Sequence, residues 1–153
     1  MATMKDHIEQ GLDTLRIRTA SDFSGLLLME NPEAGLRWNF VSGNRNNRCK
    51  QIVLRPGQGL PGLVMRLGRR VILDQSVPDI NKLRFDNPIM LAEHLQAVAV
   101  IPILHERDIL GLLMIGSRTP HLYTPQIIEL VEQEAQSLTP LLYEWKTGTA
   151  KVR

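Results

Sequence analysis

Leu54-Arg55-Pro56-Gly57-Gln58-Gly59-Leu60-Pro61-Gly62 decides how this chain is read. The stretch holds three glycines and two prolines in nine residues. The β-branched pair Ile52 and Val53 precedes it. Leu63, Val64 and Leu67 follow at helical spacing, and Gly68 closes the run. The pattern predicts strand, tight turn, short helix and stop. Glycine reaches backbone conformations that residues with a Cβ avoid, and it lets a ligand approach the chain. A helix starting near Gly59 to Gly62 aims free N–H groups and a positive dipole end at whatever sits there, which makes a seat for a small anion. A turn shaped only for packing reads the same way, because glycine-rich turns are common.

The rest of the composition narrows the field. A chain of 153 residues fits one domain and can bury a core. Apolar residues make up 43% and charged residues 22%, as in ordinary globular proteins. A net charge of +2 gives no electrostatic case for nucleic acid. The single cysteine, Cys49, excludes an intrachain disulfide and a cysteine-only metal site. Met1 to Gln10 carries Lys5, Asp6 and Glu9 and does not read as a signal peptide, and no apolar run is long enough to span a bilayer. A cytoplasmic protein is expected, with a single domain over residues 1–148 and a flexible tail over 149–153.

Upstream of the glycine turn, Met4, Ile8, Leu12 and Leu15 form one apolar stripe on a helix ending near Arg18. Ser21 to Met29 reads as a strand, covered on both faces where Leu26, Leu27 and Leu28 run together. Asn31 to Gly35 is a turn, and Leu36 to Val41 completes a hairpin. Strict alternation places Leu36, Trp38 and Phe40 on one face and Arg37, Asn39 and Val41 on the other. Trp38 is a core residue, or the wall of a pocket with its indole N–H as a single donor. Ser42 to Lys50 is polar and aperiodic and reads as a surface loop. Arg48 and Lys50 flank Cys49 there, which lowers a thiol pKa. Gln51 to Leu54 is a third strand.

Downstream, Arg69 to Asp74 is a short strand and Gln75 to Asn87 a long connection, a usual place for binding loops. Asn87 caps a short helix with Pro88 at its first position, running through Ile89, Met90, Leu91 and Ala92. Ala97 to Leu104 and Ile109 to Gly116 are apolar strands around the polar tip His105-Glu106-Arg107-Asp108. Pro102 belongs at an edge, an end or a bulge. Thr124 and Pro125 start the last helix, where Ile127, Val131, Ala135, Leu138, Leu142 and Trp145 make a near-heptad seam. Pro140 is expected to bend it. The seam is longer than one sheet needs, which suggests a partner. Terminal helices around an antiparallel sheet make one α+β domain.

This order of elements resembles the GAF domain family. The residues that carry the resemblance are Ile52 to Val64, Arg70 to Asp74, Ala97 to Ile103 and Ile109 to Gly116. It implies a six-stranded antiparallel sheet with N- and C-terminal helices on one face and a ligand pocket on the opposite face. GAF domains are mostly sensory and usually dimerise through their terminal helices. Within the family the chain is similar to the stand-alone nitrate-receptor (NreA-type) proteins, which sense nitrate and control a separate sensor histidine kinase. That likeness implies Trp38 as an aromatic wall, Leu60, Pro61, Gly62 and Leu63 at the glycine-turn helix, and Pro88, Met90 and Ala92 from the nearby helix. It implies no cofactor other than a small-molecule ligand such as nitrate. Planar, weakly hydrated nitrate suits N–H donors in an apolar pocket. Pro61 departs from the pattern, because it has no N–H, and donation falls to Leu60, Gly62 or Leu63.

Other branches of the family fit less well. Free methionine-sulfoxide reductases need several cysteines, and this chain has one. Bilin attachment needs a pocket cysteine, and Cys49 lies in the wrong kind of segment. Asn81-Lys82 and Phe85-Asp86 echo the cyclic-nucleotide signature at shortened spacing. No nucleophile–base pair or metal spacing is visible, since Glu93 and His94 point about 100° apart on a helix. A ligand-sensing module, not an enzyme, is therefore expected, signalling in trans because no output segment is recognisable. The alternatives are a cyclic-nucleotide or other metabolite sensor and a ligand-free dimerisation module.

Overall fold

Thr3 starts the first helix. Its hydroxyl accepts from the Asp6 N–H at 3.1 Å, and the Asp6 carboxylate accepts from the Thr3 N–H at 3.1 Å, a reciprocal capping box. The computed structural model describes residues 3–30 and 32–148. Helix α1 (Met4–Arg18) buries Ile8, Leu12 and Leu15, the stripe expected from their spacing. Then come β1 (Phe23–Leu28), a 3-10 turn (Pro32–Ala34), β2 (Trp38–Ser42), α2 (Arg48–Gln51), α3 (Gly59–Leu67) and β3 (Val71–Leu73). The chain continues through α4 (Ile80–Phe85), α5 (Pro88–Ala92), β4 (Ala97–His105), β5 (Asp108–Ser117) and α6 (Pro125–Thr147). Asn31, placed by the sequence in the first turn, and the expected tail 149–153 lie outside the described residues.

The strands pair antiparallel in the order β2-β1-β5-β4-β3. Leu26, Ile101, Ile103, Leu113 and Ile115 face α1 and α6, where Ile128, Val131, Leu138 and Leu142 complete one core. Phe23, Leu27, Trp38, Val98, Val100, Leu112 and Met114 face the other way. Cys49 of α2, Leu60 and Val64 of α3, and Ile89 and Met90 of α5 cover them. Each large apolar side chain buried in these two layers contributes about 1.5–3 kcal/mol.

Five strands are present among the described residues, not the six expected. Residues 51–54 do not form the third strand. The helical turn α2 takes Gln51, and Leu54 makes only an isolated bridge with Leu36, at 2.7 and 2.8 Å. Pro56 and Gly57 then turn the chain before a ladder can extend. Strict alternation also fails in β2. Leu26 pairs with Phe40 and Leu27 with Trp38, so Asn39 is an extra residue in a bulge. The Asn39 side chain fills the gap by accepting from the Leu28 N–H at 2.8 Å. Trp38 therefore lies in the α3 layer, whereas Phe40 packs on the α1–α6 layer.

The long connection 75–87 is partly helical, because α4 occupies it. In α6 the seam rotates by one position at its start, and Ile128 rather than Ile127 is the fully buried residue. The helix continues past Pro140 to Thr147. Its seam packs on β4 and β5 of its own sheet. Among the described residues no helix is long and apolar enough to cross a membrane.

Candidate functional site

The glycine turn lies directly on the first turn of α3. A Cβ at Gly62 would stand 2.2 Å from the Gly57 carbonyl carbon and 2.4 Å from its oxygen. Only glycine lets the two segments meet at that distance. Gly59 has φ +64°, in the left-handed region that favours glycine. Gln58 takes the position before the helix but does not cap it with its side chain. Its amide oxygen accepts from the Arg55 N–H at 3.0 Å instead. Gly62 N–H reaches the Gln58 carbonyl at 3.2 Å, and Pro61 has no N–H to give. Leu60 is 2% exposed, and its N–H meets no acceptor among the described residues. The start of α3 thus keeps a buried donor at the positive end of its dipole.

Trp38 is fully buried in the same apolar cluster as Leu60 and Met90. Gly25 of β1 makes room for it, since a Cβ there would come within 3.3 Å of the indole Cε3. The indole Nε1 has no hydrogen-bond partner. A buried donor without a partner costs about 1–3 kcal/mol, so two of them in one cluster need an explanation.

Behind this cluster sits a buried charge. Glu93 has no exposed surface, and its Oε1 accepts from Arg118 Nη2 at 2.6 Å and from the Arg45 N–H at 2.8 Å. Arg118 also donates to the Glu93 and Gly43 carbonyls, each at 2.9 Å. Cys49 is buried beside this group, not exposed in a loop as its neighbours suggested. Burial, reinforced by the negative charge of Glu93, pushes its thiol up to about 11. Arg48 and Lys50 are exposed at the surface, and the backbone N–H and charge of Lys50 pull the thiol down by less than burial and Glu93 push it up.

Asp74 anchors the connection that follows β3. Its carboxylate accepts from Ser76 N–H at 2.9 Å, Ser76 Oγ at 2.6 Å and Tyr123 N–H at 3.0 Å. Asn87 closes the far end of that connection. It is 6% exposed, its Nδ2 donates to the Leu83 carbonyl at 2.8 Å, and its Oδ1 has no partner. A cavity of about 340 Å³ lies between Gly57, Gly59, Leu60, Leu63, Leu83 and Asn87, with Arg66 and Asp86 on its lining. A larger groove, about 720 Å³, runs along the sheet edge between Leu67, Arg70, Pro102, Leu104 and Glu132. No group of His, Cys, Asp and Glu that could hold a metal ion occurs among the described residues.

The family model for the GAF domain matches residues 2–142. This chain belongs to the GAF domain family. Among solved structures, the domain is similar to NreA of Staphylococcus aureus mutated in its nitrate-binding site. Identity is 32% and the TM-score 0.68, over 78% of this chain and 90% of that one. The GAF domain of a Coxiella burnetii phosphoenolpyruvate-protein phosphotransferase shares the fold at 17% identity, TM-score 0.78, over 97% and 88% of the two chains. So does free methionine-R-sulfoxide reductase of Neisseria meningitidis, at 15% identity, TM-score 0.73, over 95% and 81%. Among curated proteins none matches the chain in sequence.

The GAF fold sets the residues named from the sequence in three groups. Trp38, Leu60 and Met90 are buried in one cluster, with Leu63 packed against it. Pro61 and Gly62 are buried in the first turn of α3. Pro88 and Ala92 are half-buried at the two ends of α5, and the Ala92 carbonyl accepts from Arg45 Nη1 at 3.1 Å. Sequence reasoning missed Asn87 as a buried acceptor and Glu93 as a buried charge. Asn87 is visible in the sequence as a residue before proline, but nothing there places its amide under Gly59. Nothing near Glu93 in the sequence points to Arg118.

Proposed function

We propose that this GAF domain is a sensor for a small anion, with nitrate as the ligand. The observation that carries the reading is the buried, unpartnered indole N–H of Trp38. It lies in the apolar cluster that also holds Leu60, whose backbone N–H is free at the start of α3. Two unsatisfied donors and a helix dipole in an apolar setting suit a weakly hydrated oxyanion that only accepts hydrogen bonds. Similarity to NreA, a protein with a nitrate-binding site, supports the same ligand. Catalysis has no part in this reading. The one cysteine is buried beside a carboxylate, and a thiol pushed up to about 11 is a poor nucleophile. The sensed state passes in trans to a sensor histidine kinase, and the domain works as a cytoplasmic homodimer through its terminal helices. Ile17 of α1, 70% exposed, is an apolar residue available for that contact.

Thermal unfolding against nitrate, nitrite, chloride, cyclic GMP and cyclic AMP tests the ligand. Binding to the folded state alone adds about 2.7 kcal/mol at a hundredfold excess over Kd. The expected result is a rise with nitrate that Trp38→Phe, which keeps the ring but removes the N–H, abolishes. A rise only with a cyclic nucleotide assigns the domain to that class, and no rise with any of them removes the anion reading.

A further inference from the structure

The 720 Å³ groove lies at the far end of α3 from the glycine turn, between the last turn of that helix, the open edge of β4 and Glu132 of α6. Trp38, Leu60 and Met90 do not line it. Leu67 and Leu104 do, from two different elements, and they are 45% and 41% exposed. Large apolar side chains left in water and gathered in one concave place mark an interaction surface. Arg69 and Arg70 line the same groove. Arg70 pairs with Glu132 at 3.1 Å, whereas the Arg69 side chain has no ion pair or hydrogen bond among the described residues. Two cations against one anion favour a negatively charged partner. The backbone of the strand edge adds a constraint. The Met29 N–H bonds to the Leu110 carbonyl, and the registers of β1 with β5 and of β5 with β4 then turn residues 101 and 103 toward β5. The open edge therefore shows Pro102, which has no N–H.

We propose that this groove docks an amphipathic helix of a protein partner, with leucines on its inner face and carboxylates beside them. Leu67 and Leu104 receive the apolar face, and a carboxylate pairs with Arg69. A strand is a poor occupant, because Pro102 interrupts the row of donors that a ladder needs. A helix satisfies its own backbone and asks the groove only for side-chain contacts. The place of the groove in signalling rests on the sensor reading, in which a domain acting in trans needs a surface for its partner. Helix α3 links the two ends. It has nine residues, a length of about 13 Å; its first turn carries the buried N–H of Leu60 and its last turn presents Leu67. A ligand that shifts the first turn thereby shifts one wall of the groove.

Fluorescence anisotropy of a labelled, lactam-bridged helical peptide tests the groove on the intact chain. The probe is about four turns long, with leucine at every third or fourth position and glutamate on either side. One control peptide carries lysine in place of glutamate, and a second carries proline at its centre. Leu104→Ser and Arg69→Glu are the protein variants; both positions are exposed, so the fold is expected to stand, which a melting curve checks. The expected result is saturable binding with Kd below about 1 mM, weakened at least about threefold in each variant and with each control peptide. The lysine peptide is expected to regain binding to Arg69→Glu. No saturable binding up to about 1 mM, equal binding of either control peptide, or binding unchanged in both variants overturns the proposal. Sedimentation of the chain alone covers another occupant: self-association that Leu104→Ser abolishes assigns the groove to a second copy and overturns the helix. The titrations are run without nitrate. A domain that takes the helix but ignores nitrate loses only the anion reading, and one that answers nitrate but refuses the helix loses only the docking surface.

Discussion

Arg118 Nη2 lies 2.6 Å from Glu93 Oε1, joining the chain just after β5 to the end of α5 across the back of the Trp38 cluster. Glu93 is wholly buried, and Arg118 is 29% exposed, so the carboxylate depends on this one guanidinium for its countercharge. Removing a single partner of a buried pair leaves an uncompensated charge. Arg118→Ala is expected to cost about 3 kcal/mol in urea unfolding, and adding Glu93→Met to restore a large part of it. A cost below about 0.5 kcal/mol would show that water already reaches Glu93.

Gly62→Ala and Gly68→Ala make the same chemical change for different physical reasons. At Gly62 the new methyl meets the backbone of Gly57, which has no flexible end to move aside. The expected loss is about 2–3 kcal/mol, together with weakened ligand binding, since the turn must lift from α3. At Gly68 nothing lies within 4 Å, and only the left-handed φ of +68° resists. The loss there is expected near 1 kcal/mol with binding unchanged. Equal losses at the two sites would contradict the close approach of Gly57.

Asp74 makes stability depend on acid. Burial is the strongest single influence and pushes its carboxyl up. Hydrogen bonds from Ser76 and from the Tyr123 N–H together outweigh burial and hold the carboxyl below its ordinary value of 3.8. A depressed folded-state pKa gives stability that is present above the unfolded value and lost as pH falls through the folded one. Asp74→Asn is therefore expected to cost about 1–3 kcal/mol at pH 7, and the gap to the unmodified protein to narrow below about pH 3.5. Melting curves across that range decide the matter. A gap that stays constant with pH would mean that the folded and unfolded carboxyls titrate alike.

Cys49 offers a direct probe of opening. Its thiol is fully buried and raised to about 11, so very little thiolate is present at neutral pH. Alkylation by iodoacetamide should be negligible in the folded chain and should appear in step with the urea transition. Reaction in water at the rate of a free thiol would show that α2 opens independently of the core.

Much of this fold was legible because long segments are strongly patterned. The stripe Ile8, Leu12, Leu15, the apolar hairpin of β4 and β5, and the Gly68 stop all stand where periodicity and glycine chemistry put them. The misreadings share one cause, a tertiary interaction that overrides a local rule. A single inserted residue, Asn39, turned Trp38 and Phe40 to opposite faces, because a period of two carries no memory across a bulge. Arg48 and Lys50 misled about Cys49, because burial in the core, with Glu93 forty-four positions away in sequence, outweighs the downward pull of Lys50. For the candidate site, the aromatic and the glycine helix could be named in advance. The unpartnered oxygen of Asn87 could not, since it depends on which way an amide is held by Leu83.

The three-residue β3 begins opposite Val100 and runs back to Val98, so β4 continues from Ile101 to His105 with no strand on that side among the described residues. An apolar strand edge without a paired neighbour is a template for unwanted pairing between molecules at high protein concentration. Pro102 sits in that stretch and has no N–H with which to extend a ladder. One imino acid thus acts as a guard against fibril growth. Pro102→Val should leave the monomer stable while making concentrated solutions turn cloudy sooner, a liability seen only when many copies meet.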